Sequence, residues 1–251
     1  MAITISIALQ KGGTGKTATS QALASTLGFK HKKTLLVDMD SQCDVTYFSG
    51  IDSPDYTIYD VLGEGCRIDD ALITCKYYDL LPASQKLTNV EMSDEVEPTL
   101  LKDVLKPILN EYDFIVVDTP PALGHLSFNA LVASDYIIIP SEPRPAALRG
   151  MHRLNDTIKT IKNSFNPNLR VLGILLIKHN NRTILNRDMS QMIKDFAEQM
   201  NTTVFNATIR EGVALAEAQT MRIPLIDYAK NSKPNIDYKA FTSEVLKRIG
   251  K

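Results

Sequence analysis

The stretch that decides the fold runs Ile3-Thr4-Ile5-Ser6-Ile7-Ala8-Leu9-Gln10-Lys11-Gly12-Gly13-Thr14-Gly15-Lys16-Thr17. An apolar run of strand length passes directly into a glycine-rich turn, and from Lys16 to Leu27 the pattern is helical. Strand, glycine loop and helix in that order are the context of a phosphate-binding loop. Glycines let successive backbone N–H groups turn inward around phosphate oxygens, and the helix N-terminus adds partial positive charge. Lys16 is placed to reach the β- and γ-phosphates of a nucleotide, and the Thr17 hydroxyl to bind Mg²⁺. The nucleotide-binding residues are expected to be Lys11, Gly12, Gly13, Thr14, Gly15, Lys16, Thr17 and Ala18. The ordinary loop has glycine at position 10; this chain has Gln10 there, followed by a second lysine, Lys11.

Outward from the loop, apolar runs of strand length recur at Thr34–Asp38, Asp79–Pro82, Phe114–Asp118, Tyr136–Pro140, Val171–Ile177 and Thr203–Ile209. They are rich in Ile, Val and Leu with little alternation, as strands buried on both faces should be. Helical stretches lie between or after them, at Thr99–Asn110, Ser127–Ser134, Ala147–Phe165, Leu185–Met200, Gly212–Thr220 and Asp237–Ile249. The alternation predicts an α/β fold: one domain over residues 1–251, with a mainly parallel twisted sheet covered by helices on both faces. Residues 41–97 are less regular and read as surface loops and short helices. Ligands of such sheets sit beyond the carboxyl ends of the strands.

Two acidic segments stand at those ends. The run Asp113-Phe114-Ile115-Val116-Val117-Asp118 is apolar and closes on a carboxylate, so Asp118 is a candidate Mg²⁺ ligand, and Thr119-Pro120-Pro121 stops the strand. The run Thr34–Val37 leads into Asp38-Met39-Asp40-Ser41-Gln42. Composition sets the setting. The 251 residues carry a net charge of -1, which excludes a strongly basic histone-like chain and an acidic disordered one. Cys43, Cys66 and Cys75 have neither CxxC spacing nor a His cluster, so no disulfide framework or zinc site is expected. No signal peptide and no run of about 18 apolar residues is seen, and a cytoplasmic protein is expected.

The loop Lys-Gly-Gly-x-Gly-Lys-Thr is the deviant Walker A signature, and with it the chain resembles the ParA/MinD group of P-loop ATPases, and within it the ParA or Soj partition ATPases. The resemblance implies ATP and Mg²⁺ as cofactors and a homodimer with ATP sandwiched between subunits. There Lys11 reaches the phosphates of the partner's ATP, joining Lys16 and Asp40 as catalytic residues. A symmetric partner can supply such a lysine in trans, much as an arginine finger is supplied. Asp-x-Asp-Pro-Gln-Gly-Asn in the family resembles Asp38 to Asp44, with Ser41, Cys43 and Asp44 in place of Pro, Gly and Asn. The resemblance assigns Asp40 to the attacking water, and Asp38, with Thr17 and Asp118, to the metal's surroundings. Softer matches follow: Ala147-Leu148-Arg149-Gly150 as part of a dimer face, Asn181-Arg182-Thr183, and Ile209-Arg210 with Glu217-Ala218.

The family also implies non-specific DNA binding, nucleoid association and a centromere-binding ParB-like protein that stimulates hydrolysis. Residues 1–150 hold 12 Lys+Arg against 20 Asp+Glu, whereas residues 151–251 hold 16 against 9, so a basic face is available in the second part. Arg182 matches a family DNA contact, and Asn180 lies beside it. A family Val-Arg-Leu triplet is Val213-Ala214-Leu215 here, which removes another contact. Arg187, Arg210, Arg222, Lys230 and Lys233 are candidate substitutes. Only about ten residues precede the loop, so no N-terminal helix-turn-helix domain is expected.

Three other readings carry less of the sequence. A MinD-like membrane-cycling ATPase would use a terminal amphipathic helix, but Phe241, Val245, Leu246 and Ile249 are expected to pack against the sheet, so no stable membrane association is expected. An iron–sulfur reductase of the nitrogenase iron-protein type needs two cluster cysteines per subunit, and no cysteine follows Asp118. A non-hydrolysing scaffold does not account for Lys11, Lys16, Asp40 and Asp118.

Overall fold

The computed structural model describes residues 1–63, 65–179 and 184–251. The chain runs β1 (Ile3–Ile7), α1 (Lys16–Phe29) and β2 (Thr34–Asp38) into a stretch of short elements. These are α2 (Asp44–Phe48), α3 (Ile58–Gly63), α4 (Ile68–Ala71), β3 (Ile73–Thr74), β4 (Asp79–Leu81) and α5 (Leu87–Met92). Next come α6 (Leu100–Leu105), β5 (Phe114–Asp118), α7 (His125–Val132), β6 (Tyr136–Ser141), α8 (Pro145–Ser164) and β7 (Arg170–Leu176). The chain closes with α9 (Ile184–Gln199), α10 (Val213–Thr220), α11 (Leu225–Tyr228) and α12 (Lys233–Ile249).

Among the described residues seven strands form one sheet in the order β3-β4-β2-β5-β1-β6-β7. All neighbours are parallel except β3 and β4, which pair antiparallel. Strand β1 lies inside the sheet between β5 and β6, and the chain leaves it to build first one side of the sheet and later the other. That reversal is the switch point at which open α/β sheets hold ligands, and the glycine loop is the segment that leaves it.

Successive strand residues point to opposite faces. Phe114 and Val116 join Ile5, Ile7 and Leu36 under α1 and α12, whereas Ile115 and Val117 join Leu35 and Val37 under α6 and α7. Farther along the sheet, Ile137, Ile139, Ile174 and Leu176 pack under α8 and α9. Burial on both faces is why these strands show no alternation in sequence. On α12, Phe241 and Val245 are fully buried, and Leu246 and Ile249 pack partly buried against the same core.

Several expectations shift. Thr203–Ile209 is not a strand; it makes only isolated parallel bridges, Ile174 to Val204 and Ile177 to Ile209. The reason is a side chain: Glu244 of α12 accepts the N–H groups of Asn206 and Ala207 at 3.0 and 2.9 Å, taking donors a ladder would need. Helix α6 stops at Leu105 and continues as a 3-10 turn, Lys106–Ile108, at Pro107. Helix α12 begins at Lys233, not Asp237, because Ser232 caps it by accepting from the Asn235 N–H and Pro234 fits its first turn.

Helix α7 follows Asp118 by one short loop, and its first turn is capped by a side chain from another helix. Glu91 of α5 accepts the N–H groups of His125 and Leu126, both at 3.0 Å, with one carboxylate oxygen each. A carboxylate there satisfies two orphan donors and complements the helix dipole. Glu91→Ala should therefore lower stability by about 1 kcal/mol, read from urea unfolding, and Glu91→Gln should recover part of it. An unchanged midpoint in Glu91→Ala would remove the cap from the account.

Candidate functional site

The loop after β1 is shaped by backbone conformations suited to glycine. Gly13 and Gly15 have φ of 72° and 67°, and Gly15 is the N-cap residue just before α1. A Cβ at Gly15 would also lie 2.8 Å from the Ile177 Cδ1. Leu9 accepts the Lys11 N–H at 2.8 Å, which turns the chain out of the sheet. The Lys11 carbonyl then accepts from both the Thr14 hydroxyl at 3.1 Å and the Lys16 ammonium at 3.2 Å. The loop is thus closed on itself, with the Lys16 charge resting on a backbone oxygen. Lys16 is buried, and desolvation pulls its pKa below the usual lysine range while the Asp118 and Asp40 carboxylates oppose that shift. The Lys11 side chain is half-exposed and makes no ion pair among the described residues.

Two carboxylates lie behind the loop at the paired ends of adjacent strands, Asp38 opposite Asp118. Both are 0% exposed. Asp118 accepts the Thr17 hydroxyl at 2.9 Å and the Ser20 hydroxyl at 2.7 Å. Burial, and then the neighbouring Asp38 charge, push its pKa up to about 7. Burial likewise raises Asp38 to about 6, against the hydrogen bonds donated to it. Asp38 is held from the other side: Thr46 donates both its N–H and its hydroxyl to one oxygen, and the Asp40 N–H reaches the other at 3.1 Å. Asp40 is 8% exposed and lines the cleft above the loop.

The oxygen donors present fit a hard divalent cation. A hydroxyl and an adjacent buried carboxylate, beside a phosphate cradle, are the pattern of Mg²⁺, which keeps most of its water and takes few protein ligands. No three His, Cys, Asp or Glu groups among the described residues converge into a metal cage. The cleft itself measures about 540 Å³ and runs from Gly12–Ala18 past Asp40 to Ile177, Lys178, Arg210, Pro234 and Tyr238.

The predicted DNA residues are dispersed. Arg182 and Asn180 lie outside the described residues. Arg187 is exposed at the start of α9, and Lys230 and Lys233 are exposed before and at the start of α12. Arg210 instead lines the cleft, paired bidentately with Asp237, Nε to Oδ2 at 2.9 Å and Nη2 to Oδ1 at 2.6 Å. Arg222 is also engaged within the chain: it donates to the Tyr47 carbonyl at 2.7 Å, pairs with Asp52 at 2.9 Å and stacks over the Tyr47 ring.

Three features were not found by sequence reasoning. Gly150 of α8 sits so close that a Cβ there would lie 2.9 Å from the Gln10 carbonyl oxygen, which seats α8 against the start of the loop. Glu142, buried at the end of β6, pairs with Lys178 at 2.6 Å and Arg144 at 2.9 Å, so a charged cluster borders the cleft. Charged residues at strand ends were its available signal. Cys43, where the family pattern has Gly, adopts φ 59° at the start of α2. Its thiol is pushed up to about 11 by burial and by Asp38, Asp40 and Asp44, so it is neutral at pH 7.

Comparison with known proteins agrees with this geometry. The AAA domain family matches residues 2–171. The fold also matches a cobyrinic acid a,c-diamide synthase from Mycobacterium smegmatis with bound ADP and magnesium: TM-score 0.86, 27% identity, 100% of this chain and 96% of that one. It matches the cell division ATPase MinD of Pyrococcus furiosus at TM-score 0.81 and 25% identity, over 98% and 99% of the two chains. These place the chain in the ParA/MinD group of P-loop proteins.

Full-length relatives narrow it. The chromosome partitioning protein ParA of Myxococcus xanthus is 35% identical, covering 97% of this chain and 88% of its own. The sporulation initiation inhibitor protein Soj of Bacillus subtilis is 34% identical, covering 96% and 97%. The chain belongs to the ParA/Soj-type partition ATPases.

An L-residue in the left-handed region costs about 1–2 kcal/mol, partly offset by the greater chain entropy of glycine. Cys43→Gly should accordingly raise stability by about 0.5–1 kcal/mol, seen as a higher Tm in a thermal scan. A lowered Tm would mean that the Cys43 side chain contributes packing that outweighs its backbone cost.

Proposed function

We propose that this chain hydrolyses ATP with Mg²⁺ and uses the cycle to partition DNA, alternating between a monomer and an ATP-bound dimer. One observation carries the reading: a closed phosphate loop with Lys16 parked on a carbonyl, Asp40 at the cleft and Lys11 projecting without an ion-pair partner among the described residues. The similarity to ParA and Soj proteins supports the partition role.

The residues divide the work. Backbone N–H groups of Gly13–Lys16 and the N-terminus of α1 receive phosphate oxygens. The Lys16 ammonium exchanges the Lys11 carbonyl for the β- and γ-phosphates. Thr17 and Asp118 would hold the metal, with Asp38 in its surroundings; the cation supplies neutralising charge to the phosphates when bound. Asp40 orients the attacking water, whose oxygen bonds to the γ-phosphorus as the bond to the bridging oxygen of ADP breaks. Lys11 of a second copy neutralises charge that builds on the transferred group.

Exposed Arg187, Lys230 and Lys233 are candidate DNA contacts, and Arg182 joins them on the family match alone. Contacts of this kind are sequence-independent and salt-sensitive. A centromere-binding ParB-like partner, bound to the cargo DNA, stimulates hydrolysis and returns the protein to the monomer at the nucleoid. The MinD likeness supports a second reading, membrane cycling. The burial of Phe241 and Val245 against the sheet favours partition, since that face of α12 is already used.

Three variants test these roles. Asp40→Ala should cut turnover by at least about a hundredfold and leave the ATP dimer held on DNA; ordinary turnover would refute the water-orienting role. Lys11→Ala should bind ATP as well as the parent chain but elute as a monomer with ATP in gel filtration, and a persistent dimer would defeat the trans-lysine role. Retention on duplex DNA with ATP should fall by orders of magnitude between about 50 and 200 mM salt and weaken further in Lys230→Ala/Lys233→Ala. Absence of binding at low salt, with ATP binding intact, would remove DNA from the function, and co-sedimentation with anionic liposomes would then support membrane cycling.

A further inference from the structure

The segment from Asp38 to Thr46 carries Asp40, and it is closed at its two ends by one residue that no motif singled out. Thr46, in the first turns of α2, is 4% exposed. Its N–H and hydroxyl both donate to the Asp38 Oδ2, at 2.9 and 2.7 Å. The Ala83 N–H, just beyond β4, donates to the same hydroxyl oxygen at 2.8 Å. That donor fixes the hydroxyl's orientation: its lone pair is taken by Ala83, so its single proton points to Asp38. The other Asp38 oxygen accepts the Asp40 N–H at 3.1 Å, and the Asp40 Oδ1 accepts the Gln42 N–H at 3.0 Å. The Asp40 Oδ2 has no hydrogen-bond partner among the described residues and belongs to the cleft wall.

We infer that Thr46 is a positioning residue for Asp40, acting through Asp38. Three elements meet at its hydroxyl: the end of β2, helix α2 and the segment after β4. The directional chain Ala83 to Thr46 to Asp38 to the Asp40 backbone sets where the free Asp40 oxygen stands. A buried carboxylate with one donor fewer can rotate, and the Asp40 N–H moves with it. Small displacements of a reacting group cost rate far more than affinity. This inference rests on the hydrolytic reading of Asp40.

The experiment compares Thr46→Val, which keeps the shape and removes the hydroxyl, with Thr46→Ser, which keeps the hydroxyl, alone and combined with Asp40→Ala. Thr46→Val should lower kcat for ATP about ten- to a hundredfold with KM and ATP affinity within about twofold, and Thr46→Ser should stay within about threefold of the parent kcat. In the Asp40→Ala chain, Thr46→Val should cost less than about twofold more, because both act through one group. Losses that multiply would overturn the positioning role. So would a Thr46→Ser enzyme slowed tenfold, a result that decides the matter even if Thr46→Val does not fold. If Asp40→Ala abolishes turnover while Thr46→Val turns over normally, only the role of Thr46 falls. If Asp40→Ala turns over normally, the hydrolytic reading falls and takes this role with it.

Discussion

The rest of the site depends on two carboxylates held side by side out of water. Asp38 and Asp118 end neighbouring parallel strands in register, and both are fully buried. Burial of two like charges is costly unless hydrogen bonds and counter-charges compensate. Here every compensating group belongs to a functional segment. Thr17 and Ser20 of α1 hold Asp118, Thr46 of α2 and the Asp40 backbone hold Asp38, and Lys16 is the nearby cation. The phosphate loop and the Asp40 loop are therefore tied to the same buried charge.

That arrangement sets the charge balance of the loop. Lys16 is desolvated and rests on a backbone carbonyl, while the carboxylates that oppose its shift are Asp118, itself raised by burial, and Asp40 at the cleft. A phosphate and a hard cation are the groups whose charges complete this set. On the proposed cycle their arrival would draw Lys16 off the Lys11 carbonyl, and the Lys11 side chain is half-exposed. On that reading nucleotide state would be connected to the residue proposed to reach a second subunit. Such a coupling would need no long pathway, because the Lys16 ammonium donates to the Lys11 carbonyl oxygen.

The same logic extends through the surrounding helices. The Asp40 loop is tied to the end of β4 through Thr46 and Ala83, and α5, which follows, caps α7 with Glu91. Helix α7 in turn follows Asp118. The two acidic segments thus share supports from the short helical elements that looked least regular in sequence. Opposite them, Arg222 ties the end of α10 to Tyr47 and Asp52, so the cleft wall and α2 are also joined. Arg222 and Arg210 are basic residues used to hold this protein together, and their charge is spent on Asp52 and Asp237. A count of positive residues in the second part of the chain cannot distinguish such arginines from the exposed Lys230 and Lys233.

Sequence by itself determined the strand before the loop, the glycine loop, the two acidic strand ends and the doubly covered parallel sheet. These are local properties: apolar runs buried on both faces, glycines where φ turns positive, and charges at strand termini are written in consecutive residues. It misjudged Thr203–Ile209, which reads as a strand from composition, because Glu244 some forty positions away takes its backbone donors. Tertiary structure alone decided that Thr46 faces Asp38, that Gly150 touches Gln10, that Glu91 caps α7, and that Arg210 and Arg222 are engaged. Each depends on hydrogen bonds or a close approach between groups that are not neighbours in the chain. A residue type in one segment does not specify which distant group it will meet until the sheet order has brought the two together.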